Sequence, residues 1–388
     1  MNDKKGYKII CTAFLGILAA AMIVPLVGML FYDAGEAARA EQRTLEPFPE
    51  FRIAYSDGRT FGEHFESWFA DHFAFRAEMV DANAAVMTEV FDSSPEDDVI
   101  TGRDGWLFYA ETAKDYLGER NSEEAVEKLV EFVKNEQKTA ADCGAGYVFA
   151  VAPNKNSIYP EMMAQRYGAS CEESLLDRLT QRLKEEGVTV CDLKEALISA
   201  KSRGDLYYSG DSHWNLLGSV VAFDALADAV EKETTVRPNG TRRTPETLTN
   251  GTREDDLLKM VRPIKAIREE AFSQDSSPDL YTAAQRIRSL DDTKIVTAGK
   301  ESSGLTLVMS RDSFGRALIK PLSESFAHSI FVRGNSFDIQ KLAAEAQKAA
   351  GDKQPEGAGT VVIREIVERN LLTLVEEPEE VPKGKDGE

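Results

Sequence analysis

The chain has 388 residues, a formal net charge of −20 at pH 7 and a sequence pI near 4.8, and hydrophobic residues make up 42% of it. This length allows one large domain or two smaller ones, with enough apolar content to bury a core. The acidic balance excludes nucleic acid as an expected partner, because its phosphates would be repelled, and it disfavours an anionic membrane surface outside a local basic cleft.

The run Ile9–Tyr32 contains no charged side chain and is the strongest topological signal in the chain. A helix rises about 1.5 Å per residue, so this run can cross a hydrocarbon core roughly 30 Å thick. Lysines precede it and acidic residues follow it, which predicts a cytoplasmic tail at 1–8, a transmembrane signal anchor at 9–32 and an extracytoplasmic remainder. A cleaved signal peptide is the alternative, with Ala38-Arg39-Ala40 as its cleavage site, but its apolar core would be shorter, at about 7–15 residues.

The four cysteines leave their pairing open. Cys11 lies in the apolar run, whereas Cys143, Cys171 and Cys191 follow it, in a compartment where one disulfide is permitted. No pair has the CxxC spacing of a zinc site, so a zinc centre built from cysteines is not expected.

Residues 33–58 are polar and contain proline, and we interpret them as a stalk. Aromatic residues then recur at helical spacing from Phe61 to Phe73, and the pattern predicts one long helix that continues to Phe91. A turn cluster at 101–105, followed by the apolar residues 106–109, indicates a structural hairpin rather than a binding site.

Helical and strand patterns alternate from residue 121 onward. Asn121 and Glu124 form a predicted capping box for the first helix, and Asn215 and Asp338 are predicted to cap later ones. Predicted strands lie at 147–152, 188–190, 305–309, 331–332 and 360–363. Apolar strands that alternate with helices favour an α/β domain with a mainly parallel sheet covered on both faces, here over residues 59–375.

Two polar segments interrupt or follow this pattern. Residues 231–300 carry few large apolar side chains, and we expect a partly mobile insertion with a short helix near Asp255–Ile267. Glycosylation sequons at Asn239 and Asn250 are interpreted as chance matches. The acidic, proline-containing segment 376–388 has no core-forming residues, which predicts a disordered tail.

Ser313 is the candidate nucleophile. It follows a buried-strand pattern and precedes a segment that can start a helix, so the turn would lift its hydroxyl above the carboxyl end of the sheet. Backbone N–H groups at the start of a helix could bind an oxyanion there. The alternative is that Ser313 only caps the helix.

The string Asp211-Ser212-His213-Trp214 offers a base and an acid. His213 could take the serine proton, while Asp211 would fix the tautomer and stabilise the imidazolium. A chance surface pair is the alternative for Asp211 and His213. A second alternative is that Asp211 and His213 bind a metal together with His64 and His72. No ligand spacing supports such a site, and we expect no metal.

The chain resembles the DHHW and alginate O-acetyltransferase family of membrane-anchored, SGNH-hydrolase-like proteins. The resemblance lies in an ordered set of strings between about residue 45 and residue 375. These strings are residues 61–76, 102–109, 153–161, 211–215, 311–314 and 367–371. One departure is Ser212, which stands where the family name has a second histidine, and another is the long segment 231–300.

The resemblance implies a three-layer, flavodoxin-like SGNH fold with Asp211, His213 and Ser313 as the triad. It also implies transfer of an acyl group, usually acetyl, to a hydroxyl of an extracellular polysaccharide, with no cofactor. A polytopic membrane-bound O-acyltransferase would supply the acyl group.

Ordinary SGNH enzymes place the nucleophile first and the Asp/His pair last, so the order here is that of a circular permutation. Read cyclically, Asn154 follows a buried strand where an oxyanion-hole asparagine would stand. The alternative is that Asn154 only shapes a turn.

Other residues of the same strings are candidates for secondary roles. Lys155, Tyr159 and Trp214 are candidate substrate contacts, whereas Arg311 and Asp312 are expected to orient the turn before Ser313.

Three functions fit these observations. The first is an anchored, extracytoplasmic O-acyltransferase, the second a carbohydrate esterase with the same triad, and the third a non-catalytic glycan-binding scaffold of an export complex. The presence of Asp211, His213 and Ser313 favours an enzyme.

Overall fold

The computed structural model describes residues 3–32, 35, 44–52, 55–91, 93–238, 247–262, 265–300, 303–350 and 359–376. It divides into two compact units, residues 1–96 with 258–267 and residues 97–257 with 268–388. The cleavage-site candidate at 38–40, the sequon at Asn239 and the tail from 377 onward lie outside the described residues.

The first unit is helical. Its helices are α1 (Asp3–Gly28), α2 (Phe61–His72) and α3 (Arg76–Val90). Within α1, the segment Tyr7–Gly28 has a mean hydropathy of 2.5, so its length and composition fit a membrane crossing. The predicted single helix to Phe91 is wrong, because Phe75 adopts left-handed backbone angles (φ 62°, ψ 19°) and separates α2 from α3.

The second unit contains a seven-stranded sheet and two separate two-stranded sheets. Its strands are β1 (Val99–Thr101), β2 (Leu107–Tyr109), β3 (Ala145–Ala152), β4 (Val190–Cys191), β5 (Leu248–Glu254), β6 (Ile267–Asp275), β7 (Tyr281–Ala283), β8 (Lys294–Gly299), β9 (Thr306–Arg311), β10 (His328–Arg333) and β11 (Thr360–Val367). The predicted hairpin is confirmed, since β1 pairs antiparallel with β2.

The main sheet has the strand order β4-β3-β11-β9-β10-β8-β7. The first five strands are parallel, and β8 and β7 add an antiparallel edge. The remaining helices are α4 (Ala113–Tyr116), α5 (Glu123–Asp142), α6 (Lys155–Ile158), α7 (Leu175–Glu185), α8 (Leu193–Ala200), α9 (Leu216–Thr234), α10 (Asp256–Val261), α11 (Ile319–Ser325) and α12 (Ile339–Ala350). This is the predicted α/β, mainly parallel architecture.

Side chains alternate between two cores, one on each face of the sheet. On β9, Leu307 and Met309 pack with α8, α9 and α11, whereas Val308 packs with α5, α7 and α12. Strands buried on both faces need apolar residues at every position, which explains the uninterrupted runs in the sequence.

Helix caps follow the predictions at two of three sites. Asn215 Oδ1 accepts the Gly218 N–H at 2.9 Å, and Asp338 Oδ1 accepts the Lys341 N–H at 3.0 Å. The predicted box at Asn121 is wrong by one residue, because Ser122 Oγ accepts the Ala125 N–H at 3.1 Å.

The described part of the polar segment 231–300 is more regular than its composition suggests. The predicted helix ends at Val261, and β6 begins at Ile267. Strands β7 and β8 belong to the main sheet, where the buried residue Ile295 of β8 supplies core contact. Two strands at the edge of a sheet need few apolar residues, so their hydrophobic pattern in the sequence is weak. The four cysteines are free thiols, so the permitted disulfide is not formed.

Candidate active site

The turn that carries Ser313 is fastened by carboxylates to backbone N–H groups. Strand β9 ends at Arg311, and a 3-10 helix begins at Phe314. Asp312 accepts the Phe314 N–H at 2.8 Å through Oδ1 and the Val367 N–H at 2.6 Å through Oδ2. The turn is therefore tied to the end of the neighbouring strand β11.

A second layer of contacts lies beneath this turn. Glu365 Oε2 accepts the Asp312 N–H at 3.0 Å, and a Cβ atom on Gly315 would lie 2.7 Å from both Glu365 Oε2 and Arg311 Cβ. Only glycine therefore fits at position 315 without displacing the turn. Burial, and then the charge of Asp312, raise the pKa of Glu365 well above its usual value.

Arg311 is fully buried and holds the adjoining loop. Its guanidinium donates to the Asp292 carbonyl at 3.3 Å and to the Asp312 carbonyl at 3.2 Å. These contacts hold the loop and the turn together, and the orienting role of Arg311 and Asp312 stays a prediction.

The three predicted triad side chains meet although they come from loops about a hundred residues apart. Asp211 Oδ1 lies 2.7 Å from His213 Nδ1 and also accepts the His213 backbone N–H at 2.8 Å. His213 Nε2 lies 2.9 Å from Ser313 Oγ. With the Nδ1 proton donated to Asp211, Nε2 can accept the serine proton.

Arg253 is a site residue that the sequence reasoning missed. Its guanidinium pairs with Asp211 Oδ2 and with Asp255 Oδ1, the latter at 2.9 Å, and stacks 3.8 Å from the centre of the Tyr208 ring. Burial favours the neutral form of Asp211, but His213 and Arg253 outweigh it and hold the pKa of this carboxyl well below its usual value. Asp211 therefore stays ionised beside His213.

Lys155 is a buried support for this loop, not the predicted substrate contact. Its Nζ donates to the carbonyls of Tyr208, Ser209 and Asp211 at 2.9, 3.0 and 2.7 Å. Burial lowers the pKa of Lys155 to about 7, although Asp211 and other nearby carboxylates oppose this shift. The three carbonyls match the three N–H groups of an ammonium, which fixes the backbone ahead of His213.

Tyr159 and Asn154 also have structural partners. The Tyr159 hydroxyl accepts the Leu206 N–H at 2.9 Å, and burial raises the pKa of Tyr159 to about 12. The Asn154 side chain is fully buried and donates to Asp115 Oδ2 at 3.0 Å. The predicted substrate role of Tyr159 and oxyanion role of Asn154 are corrected accordingly, because neither side chain faces the cavity that holds Ser313.

A cavity of 580 Å³ opens on Ser313 and His213. Trp214 and Phe314 line it and pack edge to face, with ring centres 5.1 Å apart, and the Phe314 ring lies 4.8 Å from that of His213. Of the predicted substrate contacts in the described chain, Trp214 is the one that lines this cavity.

The residues considered for metal binding have competing partners. Potential ligand atoms of Asp211, His213 and Asp256 lie within 4.8 Å of one another. However, the Arg253 guanidinium already neutralises Asp211, so a metal cation would have to displace it. In the first unit, His64 Nδ1 lies 2.6 Å from Glu46 Oε1 and His72 Nδ1 lies 2.9 Å from the Trp68 carbonyl, so both rings are engaged locally.

The chain is similar to known proteins in sequence and in fold. The curated protein named probable alginate O-acetylase AlgJ from Pseudomonas putida is 30% identical over 135 residues, which are 35% of this chain and 34% of that protein. The protein of the same name from Azotobacter vinelandii is 27% identical over 172 residues, 44% of this chain and 43% of that protein. The matched region thus spans less than half the length of these relatives.

Among solved structures, PatB1 of Bacillus cereus shares the fold with a TM-score of 0.51 and 13% identity, over 70% of this chain and 96% of PatB1. The family described as SGNH hydrolase-like domain, acetyltransferase AlgX, matches residues 99–299, just over half of the chain. The predicted family is confirmed: this chain belongs to the SGNH hydrolase-like acetyltransferase family that includes AlgX.

Proposed function

We propose that this protein is a membrane-anchored O-acyltransferase that acts outside the cytoplasm, on hydroxyls of a cell-envelope or exported polysaccharide. The observation that carries the proposal is the continuous contact from Asp211 through His213 to Ser313, at 2.7 and 2.9 Å, on the wall of an open cavity. The apolar helix α1 supports the anchor, and the AlgJ relatives, named as alginate O-acetylases, support acetyl as the transferred group.

The first half-reaction acylates Ser313. Its Oγ attacks the acyl carbon of the donor while His213 Nε2 takes the hydroxyl proton, and the carbonyl π electrons move onto oxygen. When this tetrahedral intermediate collapses, the donor's leaving group departs with the proton from His213. Asp211 remains a carboxylate and stabilises the transient imidazolium.

The second half-reaction returns the enzyme to its starting state. A sugar hydroxyl gives its proton to His213 and attacks the acyl-Ser313 carbonyl, which forms the new ester and releases Ser313 with that proton. The backbone N–H of Ser313, at the start of the 3-10 helix, is the proposed oxyanion donor. Asn154 is left out of this role because its amide donates to Asp115.

The acyl donor is proposed to be a polytopic membrane-bound O-acyltransferase, as the family resemblance implies. Such a partner would carry the acyl group across the membrane to a domain tethered beside it. An anchored acceptor enzyme fits this arrangement, because a tether raises the effective concentration of the two partners.

The test uses the full chain in mild detergent with p-nitrophenyl acetate, with and without candidate glycans. We expect an acetyl adduct on Ser313 by intact-protein and peptide mass spectrometry, absent in Ser313→Ala. The control is Ser276→Ala, an exposed serine whose hydroxyl donates to the Thr247 carbonyl. Equal turnover by wild type and Ser313→Ala would overturn the triad. If the acetyl group were transferred to water alone, whichever glycan was added, the result would favour an esterase.

A further inference from the structure

A second, smaller cavity adjoins the one that holds Ser313. Its volume is 170 Å³, and we call it the apolar annex. Its apolar lining consists of Leu216, Val220, Phe223, Leu290, Ala317 and Pro321. Leu216, Leu290 and Ala317 also line the larger cavity, so the two spaces share a wall.

The shared wall comes from the two elements that carry the nucleophile and the base. Ala317 lies four residues after Ser313, about one helical turn along the 3-10 helix Phe314–Leu318. Leu216 is the first residue of α9 and lies three residues after His213. A group bonded to Ser313 Oγ would therefore start within reach of the annex.

The two cations at the annex, Lys320 and Arg316, already have partners. Lys320 Nζ lies 3.5 Å from Asp275 and 3.2 Å from Asp279, and it donates to the Ser277 carbonyl at 2.6 Å. Arg316 lies 3.5 Å from Asp291. Because these cations already face carboxylates, the annex suits hydrocarbon better than an acyl group that ends in a carboxylate.

We propose that the apolar annex binds the hydrocarbon tail of an acyl group longer than acetyl, from butyryl to hexanoyl, while the acyl carbonyl lies at Ser313. This proposal rests on the acyl transfer proposed above and widens its donor class. A dry cavity of about 150 Å³ lined by aliphatic and aromatic side chains accommodates benzene, so the annex is large enough for a short alkyl chain.

The proposal is tested with p-nitrophenyl acetate, butyrate and hexanoate on the full chain in mild detergent. Each buried methylene is worth about fourfold in binding, so we expect wild type to prefer butyrate over acetate by about tenfold in kcat/KM, after correction for uncatalysed hydrolysis. Mass spectrometry should show the butyryl adduct on Ser313.

Two substitutions that change the annex in opposite directions sharpen the test. Val220→Phe fills it and should lower the butyrate-to-acetate ratio about tenfold, whereas Phe223→Ala enlarges it and should raise the hexanoate-to-butyrate ratio several-fold. Lys232→Phe, at an exposed position on the last turn of α9, is the matched control and should keep both wild-type ratios.

The outcomes separate the two proposals. If Ser313 is acetylated but no annex substitution changes either ratio, the annex proposal is overturned and acyl transfer stands. If no ester acylates Ser313, the proposed function falls and the annex proposal falls with it. If one of the two variants folded poorly, the expected shift in the other variant, with unchanged ratios in Lys232→Phe, would still support the annex.

Discussion

The loop that carries His213 and the turn that carries Ser313 are stabilised in different ways. In the loop, the buried Asp211 faces Arg253, and its pKa is held well below the usual value. Beneath the turn, burial raises the pKa of Glu365 well above its usual value, and just past the end of β11 burial raises the pKa of Glu368 to about 7, so burial favours the neutral form of both carboxyls. The loop thus depends on a compensated charge, whereas the turn depends on close packing and on backbone hydrogen bonds.

The largest effect is expected for Asp211→Asn. The amide is uncharged, so it does not stabilise the imidazolium, and its N–H₂ group can face Nδ1 and favour the wrong tautomer. We therefore expect kcat to fall by about 10³–10⁴-fold. The rate of acyl-Ser313 formation is the measurement. Asp142→Asn, at the exposed end of α5, is the control. A loss of less than tenfold in Asp211→Asn would remove Asp211 from the mechanism.

The substitution Gly315→Ala should displace the turn that carries Ser313. The added Cβ would lie 2.7 Å from Arg311 Cβ and Glu365 Oε2, so the turn must shift. We expect kcat to fall by about 10–100-fold with an unchanged pH profile, and the free energy of unfolding to fall by about 1–3 kcal/mol.

Gly62→Ala is the matched control for this substitution. A Cβ at position 62 in α2 would meet only Thr60 Oγ1, at 3.8 Å, and alanine is the better helix former. Stability in this variant should stay level or rise. An altered pH profile in Gly315→Ala would show that packing and charge are not separable at the turn.

Much of the site was predictable because its signals are local or follow the chain order of a family. A buried strand, a turn and a helix start predicted the position of Ser313, and Asp211-Ser212-His213 predicted the two side chains that lie in line with it. Strand alternation predicted the parallel part of the sheet, because strands covered on both faces must be apolar at nearly every position.

The other site residues and strands could not be predicted, because they depend on contacts between distant segments of the chain. Arg253 lies in a polar segment with no motif, and only the fold brings it to Asp211. Asn154 follows a buried strand as predicted, yet its side chain turns to Asp115, a direction that no local pattern specifies. Strands β7 and β8 were missed because they are short and partly exposed, and because they lie in a segment with few large apolar residues.

Arg253→Met tests the charge compensation in the loop. Without the guanidinium, the pKa of Asp211 should rise, and we expect kcat to fall by about tenfold. Ionised Asp211 contributes stability above its unfolded pKa of about 3.9, and this contribution is lost as pH falls through the lower folded pKa. The variant should therefore lose stability at neutral pH and show a shallower stability loss below about pH 4.

Arg268→Met is the matched control for the loop charge. Arg268 pairs with Asp255 at 2.9 Å and with Glu270 at 2.7 Å, but not with Asp211. Both arginines contact Asp255, so the measurement that separates the two variants is kcat, which should stay within about twofold of wild type in Arg268→Met. Equal losses of kcat in the Arg253 and Arg268 variants would contradict a specific role for Arg253.

The smallest effect is expected for Glu368→Gln, which tests the buried carboxyl just past the end of β11. Glu368 Oε2 accepts the Asn154 N–H at 2.8 Å and the Ser157 hydroxyl at 2.6 Å, contacts that a glutamine oxygen can keep. Burial, and then the charge of Asp115, raise the pKa of Glu368 to about 7. Protonated Glu368 thus favours the folded state below the usual pKa of about 4.5, and this contribution is lost as pH rises to about 7.

Glutamine is neutral at every pH, so the variant should gain stability relative to wild type between pH 5 and pH 8, by about 1 kcal/mol. Thermal unfolding of the full chain in detergent measures this difference. Glu124→Gln, on the exposed face of α5 and paired with Lys128, should show no such gain. Parallel pH curves for wild type and Glu368→Gln would mean that Glu368 is ionised, and the contrast between a charged loop and a neutral turn would then fail at this residue.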